Sequence, residues 1–139
     1  MISQTVISKK CSLLIKSCFA VTYKLPLVCE VNVQEYIKED GSSPYQKWFN
    51  SLDNLAAAKI TVAISRLELG NTSSIKWFGG IGEYKINWGP GYRIYLAQEG
   101  KRLIILFGGG TKKTQKSDIK TAKQFFKEYK DREKTRNRR

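Results

Sequence analysis

The period of apolar and polar residues changes several times along the chain, and each change predicts one element. Residues 27–35 alternate apolar and polar side chains after Cys29, which is typical of a strand. Ser43 followed by Pro44 predicts the start of a helix, because serine caps helices and proline suits their first turn. The apolar residues that follow recur at three- and four-residue spacing and predict one buried stripe: Tyr45, Trp48, Phe49 and Leu52.

A second helix is predicted directly after the first. Asp53 or Asn54 can cap its N-terminus, and Gly70 followed by Asn71 is a C-terminal stop signal. The pattern thus indicates a helical hairpin between Pro44 and Asn71. The apolar stripe expected on the second helix consists of Leu55, Ala58 or Lys59, Val62, Ile64 or Ser65, Leu67 and Leu69.

The remainder of the chain predicts strands and a last helix. Residues 82–88 and 92–97 are two alternating runs around Gly89-Pro90-Gly91, which predicts a β-hairpin with a three-residue loop. Residues 103–107 are apolar throughout, which indicates a strand buried on both faces. A helix is expected to begin at Ser117 or Asp118. The predicted order is therefore one strand, two helices, three strands and one helix.

The β-hairpin register predicts which side chains share a face. With a three-residue loop, Trp88 lies opposite Tyr92, and the apolar residues of both strands share one face. A face with cations and an aromatic ring suits a phosphodiester, since cations hold phosphate and the ring stacks on a base. An ordinary solvated sheet face is the alternative interpretation. The other face of the same hairpin carries the cations and the aromatic ring. Its residues are Lys85, Asn87, Arg93 and Tyr95, with Glu83 next along strand 82–88.

Charge and composition exclude several classes of chemistry. The 139 residues include 25 Lys plus Arg, 12 Asp plus Glu and no histidine, which gives a net charge of +13. Without histidine there is no Ser-His-Asp or Cys-His nucleophile system and no zinc site that uses His. The positive charge favours a polyanionic partner such as nucleic acid or the ribosome. It is concentrated at the C-terminus, where residues 111–139 hold twelve Lys and Arg against four Asp and Glu.

The N-terminal part of the chain bears on localisation. Cys11, Cys18 and Cys29 are odd in number and lack CxxC spacing, so they predict neither a disulfide framework nor a metal site and suit the reducing cytoplasm. Lys16 interrupts a short apolar run that otherwise resembles a signal peptide, which argues against secretion. No run approaches the roughly 18 apolar residues of a membrane span, so no membrane partner is expected. Residues 1–26 are predicted to be an extension outside the functional domain.

Several stretches occur together in an order that carries a family resemblance: Ser51–Asp53, Ile64–Asn71, Gly82–Ile86, Trp88–Tyr95 and Gly108–Gln115, followed by Asp118, Ile119 and Ala122. In combination they resemble the RelE/ParE superfamily of toxins from bacterial type II toxin–antitoxin modules. The most similar branch is the HigB-like "addiction module killer protein" branch. The resemblance covers about residues 27–130, leaving residues 131–139 as a basic C-terminal tail.

The resemblance implies a fold and an activity. The expected fold is α+β, with the helical hairpin packed on a small antiparallel or mixed sheet of about four strands and a C-terminal helix. Many members cleave mRNA in the ribosomal A site through attack of the ribose 2′-hydroxyl on the adjacent phosphate. Relatives do this without a pair of histidines, so a chain without histidine is compatible. No metal and no small-molecule cofactor is implied.

The matching positions imply roles for individual residues. Lys85 is a candidate general base, or otherwise a phosphate clamp. Arg93 would hold the scissile phosphate and offset charge in the transition state. Lys112 or Lys113 would act as a general acid or stabilise the leaving group, and Gln115 would orient the substrate.

Two departures from the family pattern keep other functions open. Asn87 stands where RelE has a second strand lysine, and Ile119 stands where RelE has a tyrosine. Asn87 and Tyr95 are expected to contact RNA instead. The first alternative is a ParE-like inhibitor that binds DNA gyrase, and the second is an inactive toxin remnant. The expected partners are an antitoxin encoded by an adjacent gene, and mRNA with the ribosome.

Overall fold

The computed structural model describes residues 30–139 and has a five-stranded mixed sheet at its centre. The predicted extension, residues 1–26, and the first residues of the predicted strand 27–35 lie outside this range. Spatially the strands are ordered β1-β5-β4-β3-β2; β1 pairs parallel to β5, and all other pairs are antiparallel. The strands are β1 (Asn32–Glu35), β2 (Ile75–Phe78), β3 (Ile81–Ile86), β4 (Tyr92–Glu99) and β5 (Leu103–Gly110).

The helical hairpin consists of α1 (Pro44–Asn50) and α2 (Asn54–Glu68). The Ser43 hydroxyl accepts a hydrogen bond from a first-turn amide of α1 at 3.0 Å, and the Asp53 carboxylate does the same for α2 at 2.8 Å. Gly70 has φ of +87° after the end of α2, a conformation that glycine adopts without a steric cost. The predicted caps and stop signal are therefore confirmed.

The buried face of α2 differs from the expected stripe. Leu55, Val62 and Leu69 are exposed. A different stripe of α2 with the same helical period faces the sheet. Two residues of this stripe are alanines, whose small side chains let the helix approach the sheet closely. The predicted stripe of α1, by contrast, does pack against the core on this side. The buried residues of α2 are Ala56, Ile60, Ala63 and Leu67.

The predicted register of the β-hairpin is wrong by two residues. Ile86 rather than Trp88 lies opposite Tyr92, and the loop spans the five residues 87–91. Because side chains alternate with a period of two, a shift of two residues leaves the faces unchanged. Lys85 and Arg93 share a face, as the pattern predicted, and the observed register makes them direct cross-strand neighbours.

Both faces of the sheet are covered. The face that carries Ile94 and Leu96 packs against the helical hairpin. The opposite face packs against a long C-terminal helix, α3 (Gln115–Asn137), which follows a short 3-10 turn. Residues 131–137, expected to be a tail, are thus the end of this helix. The α+β class, the hairpin and the C-terminal helix are confirmed; the strand missed by the sequence pattern is the short edge strand β2.

Strand β5 lies between β1 and β4, next to the central strand β4. Residues 104–107 of this strand are buried, which confirms the strand predicted from their continuous apolar run. Within residues 30–139, none of the helices combines the length and apolar character needed to cross a bilayer.

Candidate functional site

The predicted catalytic residues come together at one end of the sheet. Lys85 lies opposite Arg93, and Arg93 lies opposite Gly110 at the end of β5. The chain then turns through the 3-10 turn Lys112–Thr114 into α3. Gly110 leaves room for this turn, because a Cβ there would overlap the Asp118 carboxylate. The antiparallel strands and the turn therefore place four predicted residues near one end of the sheet: Lys85, Arg93, Lys112 and Lys113.

Arg93 is buried rather than open to a substrate. It is 6% exposed, and its Nε lies 3.3 Å from Oε1 of Glu83, which is also buried. Its Nη1 donates a hydrogen bond to the Gly91 carbonyl at 2.9 Å. The expectation that Arg93 directly holds a scissile phosphate does not fit this placement, because a carboxylate already occupies one edge of the guanidinium.

Gln115 belongs to the same buried network. Its Nε2 donates a hydrogen bond to Oε2 of Glu83 at 2.7 Å, which ties the start of α3 to strand β3. The side chain therefore orients a protein carboxylate rather than an open substrate site. Glu83 is the residue whose role sequence reasoning missed. The sequence feature that could have indicated this role is that Glu83 is the one carboxylate on a strand face that otherwise carries cations and polar groups.

Tyr95 is also placed differently from the expectation. Its ring is 1% exposed and packs among the residues between the sheet and α3. Burial, together with the Glu83 and Asp118 carboxylates, raises the pKa of Tyr95 well above its ordinary value, so the hydroxyl stays protonated. Among the described residues, this hydroxyl has no hydrogen-bond partner. A ring buried in this way has no free face on which an RNA base could stack.

The other predicted residues do reach the surface. Lys85, Asn87, Lys112 and Lys113 are exposed at this end of the sheet. The sheet face itself is not open to a phosphodiester as the pattern suggested, since Arg93 and Tyr95 are buried and α3 packs on this face. The accessible part of the site is therefore the rim formed by exposed lysines, with the buried ion pair beneath it.

An aromatic pair lies in the same region, among the residues that the hairpin pattern placed on the apolar face. The rings of Trp88 and Tyr92 are stacked at 17° with their centroids 6.1 Å apart, and both side chains are half-buried. The Lys59 ammonium lies 5.9 Å from the centroid of Trp88. Aromatic faces beside cations suit single-stranded nucleic acid, whose bases stack and whose phosphates pair with lysine. A half-exposed aromatic next to a glycine-rich loop is the signal that could have found them.

Residues 30–139 contain no group of three Cys, Asp or Glu side chains placed to share a metal ion. Fold and site together define a small α+β protein with a cationic, aromatic-flanked sheet end. The chain belongs to the same family as an uncharacterized protein of Haemophilus influenzae. The two sequences are 45% identical over 86 residues, which span 60% of this chain and 87% of the relative. No family model matches the chain.

Proposed function

We propose that this protein is the toxin of a type II toxin–antitoxin module of the RelE/ParE superfamily, HigB-like branch, and that it is an endoribonuclease. Its substrate would be ribosome-associated mRNA, and its cleavage would inhibit translation. The observation that carries the proposal is the grouping of exposed Lys85, Lys112 and Lys113 around one sheet end that lacks histidine. Three cations on two neighbouring segments suit the charge that develops during phosphodiester cleavage.

The proposed reaction is an internal transesterification. The ribose 2′-oxygen forms a bond to the adjacent phosphorus while the bond from phosphorus to the 5′-oxygen breaks. The 2′-hydroxyl proton passes to a base, and the leaving 5′-oxygen receives a proton. The products are a 2′,3′-cyclic phosphate and a free 5′-hydroxyl. No external oxidant, reductant or cofactor is needed for this balance.

The surface residues divide into two groups around this reaction. Lys85 lies on β3, where it acts as the general base or clamps the phosphate. Lys112 and Lys113 lie in the turn after β5, where one of them protonates or stabilises the leaving oxygen. The two groups lie on different segments, so they can meet the substrate from two sides. The reaction requires this because the attacking 2′-oxygen and the leaving 5′-oxygen lie on opposite sides of phosphorus.

Arg93 takes a positioning role in this proposal. Its guanidinium is held by Glu83 and by the Gly91 carbonyl, so it fixes the β3–β4 loop and the strand that carries Lys85. Its charge is offset by the neighbouring carboxylate, which leaves the exposed lysines as the groups that meet the phosphate.

RNA contact would extend along the β3–β4 loop. Asn87 is exposed at the start of this loop, and the half-exposed Trp88 and Tyr92 offer aromatic faces to unpaired bases. The proposed place of action is the cytoplasm, with mRNA and the ribosome as partners. A cognate antitoxin encoded by an adjacent gene is the proposed protein partner. Exposed Leu55 and Val62 on α2, with exposed Leu69 directly after it, support such protein binding.

The proposal is tested by inducing the full-length protein in bacteria and mapping nucleic-acid ends. The expected result is growth arrest with new mRNA 5′ ends inside translated codons, while chromosomal DNA stays intact. Broken DNA with a raised SOS response and intact mRNA would instead support the gyrase alternative. An absence of any growth effect from well-expressed, folded protein would support an inactive remnant.

A further inference from the structure

Helix α3 carries a row of lysines that the cleavage chemistry does not use. They follow one another at intervals of four and three residues, so they stay within an arc of about 80° around the helix axis. At a rise of about 1.5 Å per residue, the row is about 27 Å long. We name it the lysine ridge, and its members are Lys116, Lys120, Lys123, Lys127, Lys130 and Lys134.

The lysine ridge is a solvent-facing surface with little internal compensation. Five of its members are exposed, and Lys130 is half-buried in an ion pair with Glu99, its ammonium 5.6 Å from the Phe126 ring centroid. The acidic residue of α3 nearest to the row is Asp131, which lies about 60° around the helix from its centre. Consequently, most of the ridge lysines keep their charge available to an external partner.

One ridge lysine contacts the turn between β2 and β3. The side chain of Lys123 passes over the turn between these strands, with its Cε 3.2 Å from the position of a Cβ at Gly79. At the start of α3, Lys116 follows Lys113 by three residues. The lysine ridge is therefore continuous with the exposed lysines at the sheet end rather than a separate patch.

We propose that the lysine ridge binds the phosphate backbone of double-helical RNA. The row consists of lysines alone, and proteins that hold single strands combine cations with aromatic stacking platforms. Lysine ammonium groups are compact charges suited to phosphate contact without base recognition. A straight row about 27 Å long matches a rigid duplex, which presents closely spaced charges along its axis.

The choice of RNA over DNA rests on the proposed function, because a protein that cleaves message on the ribosome meets RNA helices there. The ridge itself would be an attachment surface that leaves cleavage to the sheet end. It would raise the affinity for RNA and the rate of association. Both would fall as salt concentration rises, as expected from screening and counterion release.

The test measures fluorescence polarisation of the full chain with three labelled probes over a range of salt concentrations. The first probe is a 20-base-pair RNA hairpin, and the second is a single-stranded RNA with the same number of nucleotides and no secondary structure. The third probe is a DNA duplex. The ridge variant combines K116Q, K120Q, K123Q and K127Q. The matched control removes four exposed cations elsewhere, with K47Q, R66Q, K101Q and R102Q. Both variants have the same net charge, and circular dichroism checks that both are folded.

We expect the ridge variant to lose affinity for the RNA hairpin by on the order of 100-fold at 0.1 M salt. The slope of log K against log salt should fall by about 3 to 4, since each lost phosphate contact contributes about 0.9. The control should change affinity by less than about threefold and the slope by less than about one. The ridge substitutions should reduce affinity for the RNA hairpin more than affinity for the single strand or the DNA duplex.

Equal losses in the ridge and control variants would overturn the proposal, because they would reflect net charge alone. An equal or larger loss of affinity for the single strand on ridge substitution would overturn the assignment of a duplex, and an equal or larger loss for DNA would overturn the assignment of RNA. The test is independent of cleavage. If no variant cleaves mRNA but the ridge variant alone loses the hairpin, the proposed function fails while the ridge proposal stands.

Discussion

Removing the Arg93 side chain should unfold part of the protein population rather than only disable a site. Arg93 and Glu83 have side chains that are less than a tenth exposed, and Nε lies 3.3 Å from Oε1. Arg93→Ala leaves the Glu83 carboxylate buried with the Gln115 amide as its remaining neutral partner. An isolated buried charge is costly because neither water nor an opposite charge solvates it.

The expected loss in the free energy of unfolding is large compared with the total stability of a small domain. Breaking a buried ion pair by removing one partner costs about 3–5 kcal/mol. Domains of this size are typically stable by about 5–15 kcal/mol. The equilibrium constant for unfolding should therefore rise by about two to four powers of ten.

Urea denaturation followed by tryptophan fluorescence measures this change directly. Lys85→Ala is the matched control, because Lys85 is the cross-strand neighbour of Arg93 and is exposed. This control should change the free energy of unfolding by no more than about 0.5 kcal/mol. An Arg93→Ala protein within about 1 kcal/mol of wild type would refute the reasoning, since the pair could then not be an important structural contact.

A double-mutant cycle separates the ion pair from the individual side chains. Glu83→Gln combined with Arg93→Met should cost less than the sum of the two single substitutions, because the double variant leaves no unpaired buried charge. Additive costs would show that the two groups do not interact. For function, lost growth arrest in Arg93→Ala is ambiguous, whereas Lys85→Ala tests the chemistry in a folded protein.

Three further predictions concern the fold. Gly109→Ala should destabilise the protein by about 1–3 kcal/mol, because the new Cβ would overlap the Trp48 ring; an unchanged urea midpoint would argue against this packing. Asp53→Ala should cost about 1 kcal/mol by removing the cap of α2, and a measured gain in stability would contradict it. Burial and the hydrogen bond that Tyr36 donates to Glu128 raise the pKa of Tyr36 to about 12. The unfolded chain releases this proton near pH 10, so stability should fall from about pH 10 to about pH 12. Tyr36→Phe should flatten that fall in urea titrations, and an identical pH profile would count against it.

Local features of the fold were predictable because the groups that determine them are close in sequence. Ser43 and Asp53 each bond an amide of the first turn beside them, and Gly70 ends α2 through its own backbone conformation. The faces of the β3–β4 hairpin were also predictable, since alternation depends only on the strand period.

Features that depend on distant contacts were not predictable in the same way. Two stripes of α2 have the helical period, and contact with the sheet decides that Ile60 is buried while Val62 is exposed. The edge strand β2 is only four residues long, so its pattern is too short to distinguish it from a loop.

The candidate site shows the same division. The sequence pattern correctly placed Lys85 and Arg93 on one face. It did not show that α3 folds back over that face and that Gln115, 32 residues further along, bonds Glu83. This long-range contact changes Arg93 from an open phosphate clamp into a buried structural cation.

The most direct test of the proposed function uses purified full-length protein and ribosomes carrying a defined message. We expect cleavage within the A-site codon that leaves a 2′,3′-cyclic phosphate and a 5′-hydroxyl. We also expect that Lys85→Ala slows cleavage by on the order of 100-fold or more, the scale of acid–base catalysis, while its urea midpoint stays at the wild-type value. A message that remains intact with folded wild-type protein, or is cut at the wild-type rate by Lys85→Ala, would contradict the account.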